Sequence, residues 1–233
     1  MDAIGMTHAR PRPLAHAARA DAGVKVLLAC GAVAAALYTA MMLLIGLLWN
    51  GYSMAGQTVS ELSAIGAPTR TLWIVLGTVY SVLVAAFALG VVLLSRHGGA
   101  LRAAGAVLAV HAVLSFFYPP MHLRGAGLTR TDTLHVVSGI ATILLMVLAM
   151  AFGAAALGGA FRRFSLSAIA LFLVFGTLTG IEAPRVAANL PTPWIGVWER
   201  AAIAAFMLWM AMLARALMRG PPPGVEPARP RGG

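Results

Sequence analysis

Charge is scarce in this chain. Of its 233 residues, 10% are Asp, Glu, Lys or Arg, whereas a soluble domain of this size carries about a quarter. A single cysteine, Cys30, excludes an internal disulfide. No phosphate-cradling G-x-x-x-x-G-K-[ST] loop, dinucleotide glycine fingerprint or serine-hydrolase elbow occurs, which argues against nucleotide-driven work and serine acyl chemistry. His-Glu-x-x-His, His-x-x-x-His and Cys-x-x-Cys pairs, the compact signatures of metal sites, are also missing.

Apolar residues fill the space that charge leaves. They make up 60% of the chain, and the mean hydropathy is +0.86. Six runs are long and apolar enough to predict membrane spans: Val24–Leu48, Leu72–Leu94, Leu101–Phe117, Leu134–Leu157, Leu166–Ile181 and Ala201–Leu217. A span needs about 20 residues, so the fifth run must borrow from its flanks. Backbone groups in hydrocarbon must pair within their own segment, which makes these runs helices. Their lack of alternation excludes a membrane β-barrel. The expected fold class is thus an all-α membrane protein, a six-transmembrane-helix bundle. Residues 24–218 form its membrane domain, residues 1–23 a basic cytoplasmic tail, and residues 219–233 a disordered Pro/Gly/Arg-rich cytoplasmic tail. The first run is too long for the apolar core of a signal peptide.

The basic residues set an orientation. With the N-terminus inside, 12 of the 17 fall on the inner side; Arg70, Arg124, Arg130, Arg185 and Arg200 fall outside. The positive-inside rule then puts both termini in the cytoplasm and the protein in the cell membrane. The net charge of +10 follows from these short caps. No basic face suited to nucleic acid is present.

Three outer stretches, Trp49–Arg70, Tyr118–His135 and Glu182–Arg200, hold four of the seven acids: Glu61, Asp132, Glu182 and Glu199. In the first, Thr58 and Glu61 have capping-box spacing, and Gly66 and Pro68 supply a stop, so Thr58–Ile65 is expected to be a short interfacial helix. On span three, His111, Ser115 and Tyr118 share a helical face. His111 lies roughly 10 Å below the outer end at 1.5 Å per residue. An ionisable group at that depth is costly and marks a candidate site. His122 follows in the loop. Asp132 and His135 open span four one turn apart, and Ser138, Gly139 and Thr142 continue that face inward. Asp132 can equally cap the span. Arg200 is expected to snorkel to the interface beside Glu199. Trp49, Tyr52, Trp73, Tyr118, Trp194 and Trp198 read as an outer aromatic belt, and Gly176-x-x-x-Gly180 as a weak packing motif.

Tyr52, then Thr58-Val59-Ser60-Glu61-Leu62-Ser63-Ala64-Ile65-Gly66-Ala67-Pro68, resembles the first-loop signature of the prokaryotic membrane proteins catalogued as domain of unknown function 998. Phe117-Tyr118-Pro119 with Leu134-His135, and Gly196-Val197-Trp198-Glu199-Arg200, are similar to that family's middle region and third motif. The Ser-Glu-Leu-Gly pattern is interrupted here by Ser63-Ala64-Ile65. The resemblance implies a six-helix integral membrane protein with Ser60, Glu61, His135 and Glu199 on the outer side. It implies no activity.

Three readings compete for the outer residues. In one, Ser60, Glu61, His111, Ser115, His135, Glu182 and Glu199 line a pocket that binds or passes a small molecule, a lipid headgroup or a proton. In the second, His111, His122, Asp132 and His135 hold a divalent metal, with Glu61 or Glu182 as general base of a hydrolase. In the third, the polar residues only bind helices together in a scaffold subunit. The first tolerates scattered ligands and ranks highest.

Overall fold

The computed structural model describes residues 13–95, 99–126 and 128–219. Expectations for the tail residues 1–12 and 220–233 lie outside the described residues. Six helices follow one another: α1 (Pro13–Leu44), α2 (Arg70–Leu94), α3 (Ala100–Phe116), α4 (Arg130–Leu157), α5 (Gly159–Ala187) and α6 (Ile195–Arg219). Among the described residues there is no strand, and one isolated bridge joins Ile65 to His122. Five helices are long and apolar enough to cross a membrane; α3 has 17 residues and is shorter. This pattern is that of a multi-pass membrane protein.

Each helix packs on its neighbours in sequence, and α1 closes the ring against α6. Directions alternate. One end, the loop end, gathers the α1–α2, α3–α4 and α5–α6 connections; the turn end carries the other two. The core lies inside the ring, where Phe87, Leu108, Phe206, Trp209, Met210 and Leu213 are fully buried. Gly153 lets α4 approach α6, since a Cβ there would sit 2.6 Å from the Trp209 ring. The Trp209 indole donates to Ser165 Oγ at 3.0 Å, so its buried N–H is satisfied.

The helix ends depart from the expected spans for local reasons. α1 starts within the expected tail, at Pro13, and closes in a 3-10 turn over Ile45–Leu48. α4 starts at Arg130 because Thr129 and Asp132 form a reciprocal capping box. α5 continues past Pro184 to Ala187. The helix expected over Thr58–Ile65 is instead a single 3-10 turn, Ser60–Ser63. The box bonds do form: Thr58 N donates to Glu61 Oε2 at 2.7 Å, and Glu61 N to Thr58 Oγ1 at 3.1 Å. The chain then turns extended at Ala64, because Ile65 N pairs with Met121 O across the loops at 2.8 Å. The apolar side of this turn is covered by the protein itself: Val59 and Leu62 are buried against Met41, Met42, Ile45 and Trp73.

α4 and α5 touch less than any other neighbouring pair. Their buried residues crowd toward the turn end, at Met146–Ala154 and Ser165–Phe172. Over residues 133–145 of α4 and 173–185 of α5, neither helix buries a residue. A Cβ added at Gly176 or Gly180 would meet nothing within 4 Å, so the Gly-x-x-x-Gly pair packs on no helix of this chain.

Candidate functional site

Three loops meet at the loop end, and Glu61 ties them together. Its side chain is fully buried. Arg124, from the α3–α4 loop, donates to both carboxylate oxygens, Nε to Oε1 at 2.6 Å and Nη2 to Oε2 at 3.0 Å. The same guanidinium reaches Thr192 Oγ1 at 2.8 Å and Gly56 O at 2.7 Å, which joins the α5–α6 and α1–α2 connections. A bidentate, charge-assisted pair of this kind fixes geometry strongly. Glu61 is therefore part of a clasp and not of the cavity lining. Arg124 had no sequence signal beyond being one of five basic residues on its side.

Adjacent residues of α6 grip the first loop by opposite polarities. Glu199 accepts from Val59 N and from Ser60 Oγ, the latter at 3.1 Å. Arg200 donates to Met54 O at 2.8 Å, Gln57 O at 3.2 Å, Gly196 O at 3.0 Å and Tyr52 Oη at 2.6 Å. Snorkelling was the wrong expectation for Arg200, which is 9% exposed. Loop carbonyls without a helical ladder need donors, and the guanidinium fork supplies several at once. Gly196 permits the contact, because a Cβ there would press on the carbonyl oxygens of Gln57 and Met54. Tyr52 also leaves the expected belt: its hydroxyl donates to Thr58 O at 2.7 Å. Burial pushes its pKa up to about 12 against the opposing pull of Arg200. Trp73 is likewise a core residue, whereas Trp194 is 55% exposed.

Beneath the clasp lies a cavity of about 400 Å³, within the usual range for ligand pockets. Ser60, His111, Ser115, His135 and Glu199 line it, together with Arg70. His111, Ser115 and Tyr118 all face it, as do His135, Gly139, Thr142 and Met146 of α4. His111 Nε2 meets Tyr80 Oη at 3.3 Å, and its ring stands edge-on to Phe206. His111 Nδ1 and Thr142 Oγ1 are buried without a hydrogen-bond partner. His135 Nδ1 donates to Pro119 O at 2.8 Å, and Tyr118 Oη donates to His135 O at 3.3 Å. Burial, with Glu199 adding to it, raises the Tyr118 pKa and keeps that phenol neutral. Thr142, on the inward stripe of α4, joins the lining, as do Tyr80 and Arg70, which carried no signal as site residues. Their placement depends on helix order around the ring, which hydropathy does not encode.

The other candidates are elsewhere. Glu182, on α5, does not line the cavity, although its Oε2 is buried without a partner. The four proposed metal ligands are not brought together. His122 Nδ1 lies 3.2 Å from Asp132 Oδ2, but Asp132 is occupied by Thr129 N at 2.9 Å, Thr129 Oγ1 at 2.7 Å and His122 N at 2.7 Å. His111 turns to Tyr80 and His135 to Pro119. Among the described residues, no three or more His, Cys, Asp or Glu are placed to hold one metal ion.

Fold and site together define a class: a multi-pass helical membrane protein with a largely apolar cavity, carrying a few polar and charged side chains, under a clasped loop end. The family model described as protein of unknown function (DUF998) matches residues 32–216. The chain belongs to that family. No curated protein and no solved structure matches it.

Proposed function

We propose that this is a six-span protein of the cell membrane whose outer-side cavity binds or passes a small molecule, a lipid headgroup or a proton. Its membrane domain covers residues 24–218. The basic residues favour cytoplasmic termini and put the loop end outside, with α3 crossing as the sixth span. Ser60, His111, Ser115, His135 and Glu199 are the contact set. Glu61 acts behind them by holding the loops, and Glu182 stands apart on α5.

One observation carries this reading: Glu199 and Arg70, opposite in formal charge, line one cavity with His111, Ser115 and His135, and beside it His111 Nδ1 and Thr142 Oγ1 are buried without partners. Polar groups left unpaired inside a protein cost about 1–3 kcal/mol each, so natural structures pair them with protein, water or ligand.

Purified protein, denatured and extracted, should release a stoichiometric molecule detectable by mass spectrometry, and Ser115→Phe, which fills the cavity, should lack it. An empty wild-type protein, or an equal yield from the filled variant, would remove the reading. Topology is separately measurable. In a Cys30→Ala background, a cysteine at Gly125 should react with an impermeant thiol reagent on intact cells, and one at Gly98 should not; the reverse pattern would invert the orientation.

A further inference from the structure

We propose that the ligand is a zwitterionic glycerolipid, with its head in the cavity and its chains leaving sideways between α4 and α5. This inference rests on the cavity reading above and adds the ligand class and its route.

The route follows from burial. α4 and α5 touch less than any other neighbouring pair, and over residues 133–145 and 173–185 neither contributes a buried residue. The cavity lies behind this stretch: Gly139, Thr142 and Ile143 of α4 and Gly176 and Thr179 of α5 all line it. Ile143 is 40% exposed and Gly176 has open space where a side chain would be, so the wall is thin and apolar on its outer face. A loop-end entrance is less direct, since the clasp of Glu61 and Arg124 and the grip of Arg200 close the three loops over the cavity. A cavity of about 400 Å³ takes a polar head and its linkage, and leaves long chains to the hydrocarbon outside.

The class of head follows from charge. Two side chains with opposite formal charges, Glu199 and Arg70, line the cavity. They flank one 3-10 turn. Glu199 holds Ser60 Oγ at one end, and Arg70 Nη1 donates to Ser63 O, at 2.6 Å, at the other. The backbone between these two contact points, Ser60 and Ser63, rises about 6 Å, and charges of opposite sign at the two ends of one short turn suit an ammonium beside the carboxylate and a phosphate beside the guanidinium. An anionic head would bring a second negative charge beside Glu199, and an uncharged head would offer neither side chain a counter-charge. Farther in, His111 and Thr142 line the cavity, and their Nδ1 and Oγ1 are buried without hydrogen-bond partners, so a small side-chain movement would offer them to the ester linkage that follows the head. Polarity thus falls from the loop end inward, in the order in which a lipid presents its parts.

The probes are phosphatidylethanolamine, phosphatidylglycerol, diacylglycerol and the soluble head glycerophosphoethanolamine, each added to delipidated full-length protein and read by native mass spectrometry. The zwitterionic lipid should bind about tenfold more tightly than the anionic or uncharged one, a difference of about 1.4 kcal/mol. Glu199→Gln should bring phosphatidylglycerol level with phosphatidylethanolamine. Arg70→Gln should erase the advantage over diacylglycerol. Gly176→Trp, and independently Thr179→Trp, should block the lipids but spare the soluble head; Val174→Trp, on an exposed face outside the lining, should change nothing. Equal binding of all three lipids, or lipid binding that survives both gap-filling changes, would overturn the proposal. Binding of the soluble head without the lipid would overturn the lateral route and leave the cavity reading intact. Failure of every probe, alongside a different molecule released on extraction, would overturn the ligand class alone; failure with nothing released would remove both.

Discussion

Arg124→Ala should be among the most damaging single changes at the loop end. Glu61 has no solvent exposure, and Arg124 supplies its charge partner through two bonds of 2.6 and 3.0 Å. Removing one partner of a buried pair leaves an uncompensated charge and costs about 3–5 kcal/mol. The remaining donors to Glu61, Thr58 N at 2.7 Å, Thr58 Oγ1 at 3.0 Å and Gln57 Nε2 at 3.3 Å, are neutral and hold the low end of that range. With a midpoint change of about 2–4 °C per kcal/mol for a chain of this size, the melting temperature in detergent should fall by roughly 6–20 °C. The partner variant Glu61→Leu with Arg124→Met should recover most of the loss, because a buried pair replaced whole by apolar groups is often neutral. The double-mutant cycle then yields a coupling of several kcal/mol, beyond that of ordinary neighbours. A fall below about 2 °C in Arg124→Ala, or a double variant as unstable as the single, would refute the clasp.

Three smaller predictions concern the same end. Gly196→Ala should destabilise by about 1–3 kcal/mol, because its Cβ has to displace two loop carbonyls; thermal unfolding reads it, with Gly176→Ala, which meets open space, as the harmless comparison. Thr129→Ala removes the cap of α4 and should cost about 1 kcal/mol, seen as faster amide exchange over the first turn of the helix. Tyr52 has a folded-state pKa raised above the usual phenol value to about 12, so its contribution is complete below pH 10 and is lost as pH rises toward 12. The stability gap between wild type and Tyr52→Phe should therefore narrow across that window, and a gap that stays constant would mean that the phenol is not held by its environment.

The helices were legible because hydropathy and length leave few alternatives for runs such as those in α2 and α4. The inward stripe of α4 was legible in part: the periodicity placed His135, Ser138, Gly139 and Thr142 on one face, and all but Ser138 line the cavity. The capping role of Asp132 could be read from its position. What could not be read was partnership across loops. Glu61 carries the spacing of a capping box and makes those bonds, yet nothing local signals that Arg124, 63 residues away in sequence, would neutralise it. Arg200 sits next to tryptophans in sequence, which reads as an interface anchor; its burial depends on loop carbonyls contributed by residues 140 or more positions earlier. The metal grouping failed for the same reason. Sequence proximity put His122 near Asp132, but the facing of α3 and α4 sent His111 to Tyr80 and His135 to Pro119.

An enterable cavity, apolar over most of its wall and carrying a few convergent polar groups, lies inside the bundle at Ser115. Its presence is tested most directly by the reactivity of a cysteine there, in the Cys30→Ala background, toward a small neutral thiol reagent. The account predicts that Ser115→Cys reacts at a rate comparable with an open site, and that adding Thr142→Trp, which fills the space opposite, slows it at least tenfold. A cysteine at 115 that stays inert while the protein remains folded would contradict the account, as would one whose rate ignores the filling of the cavity.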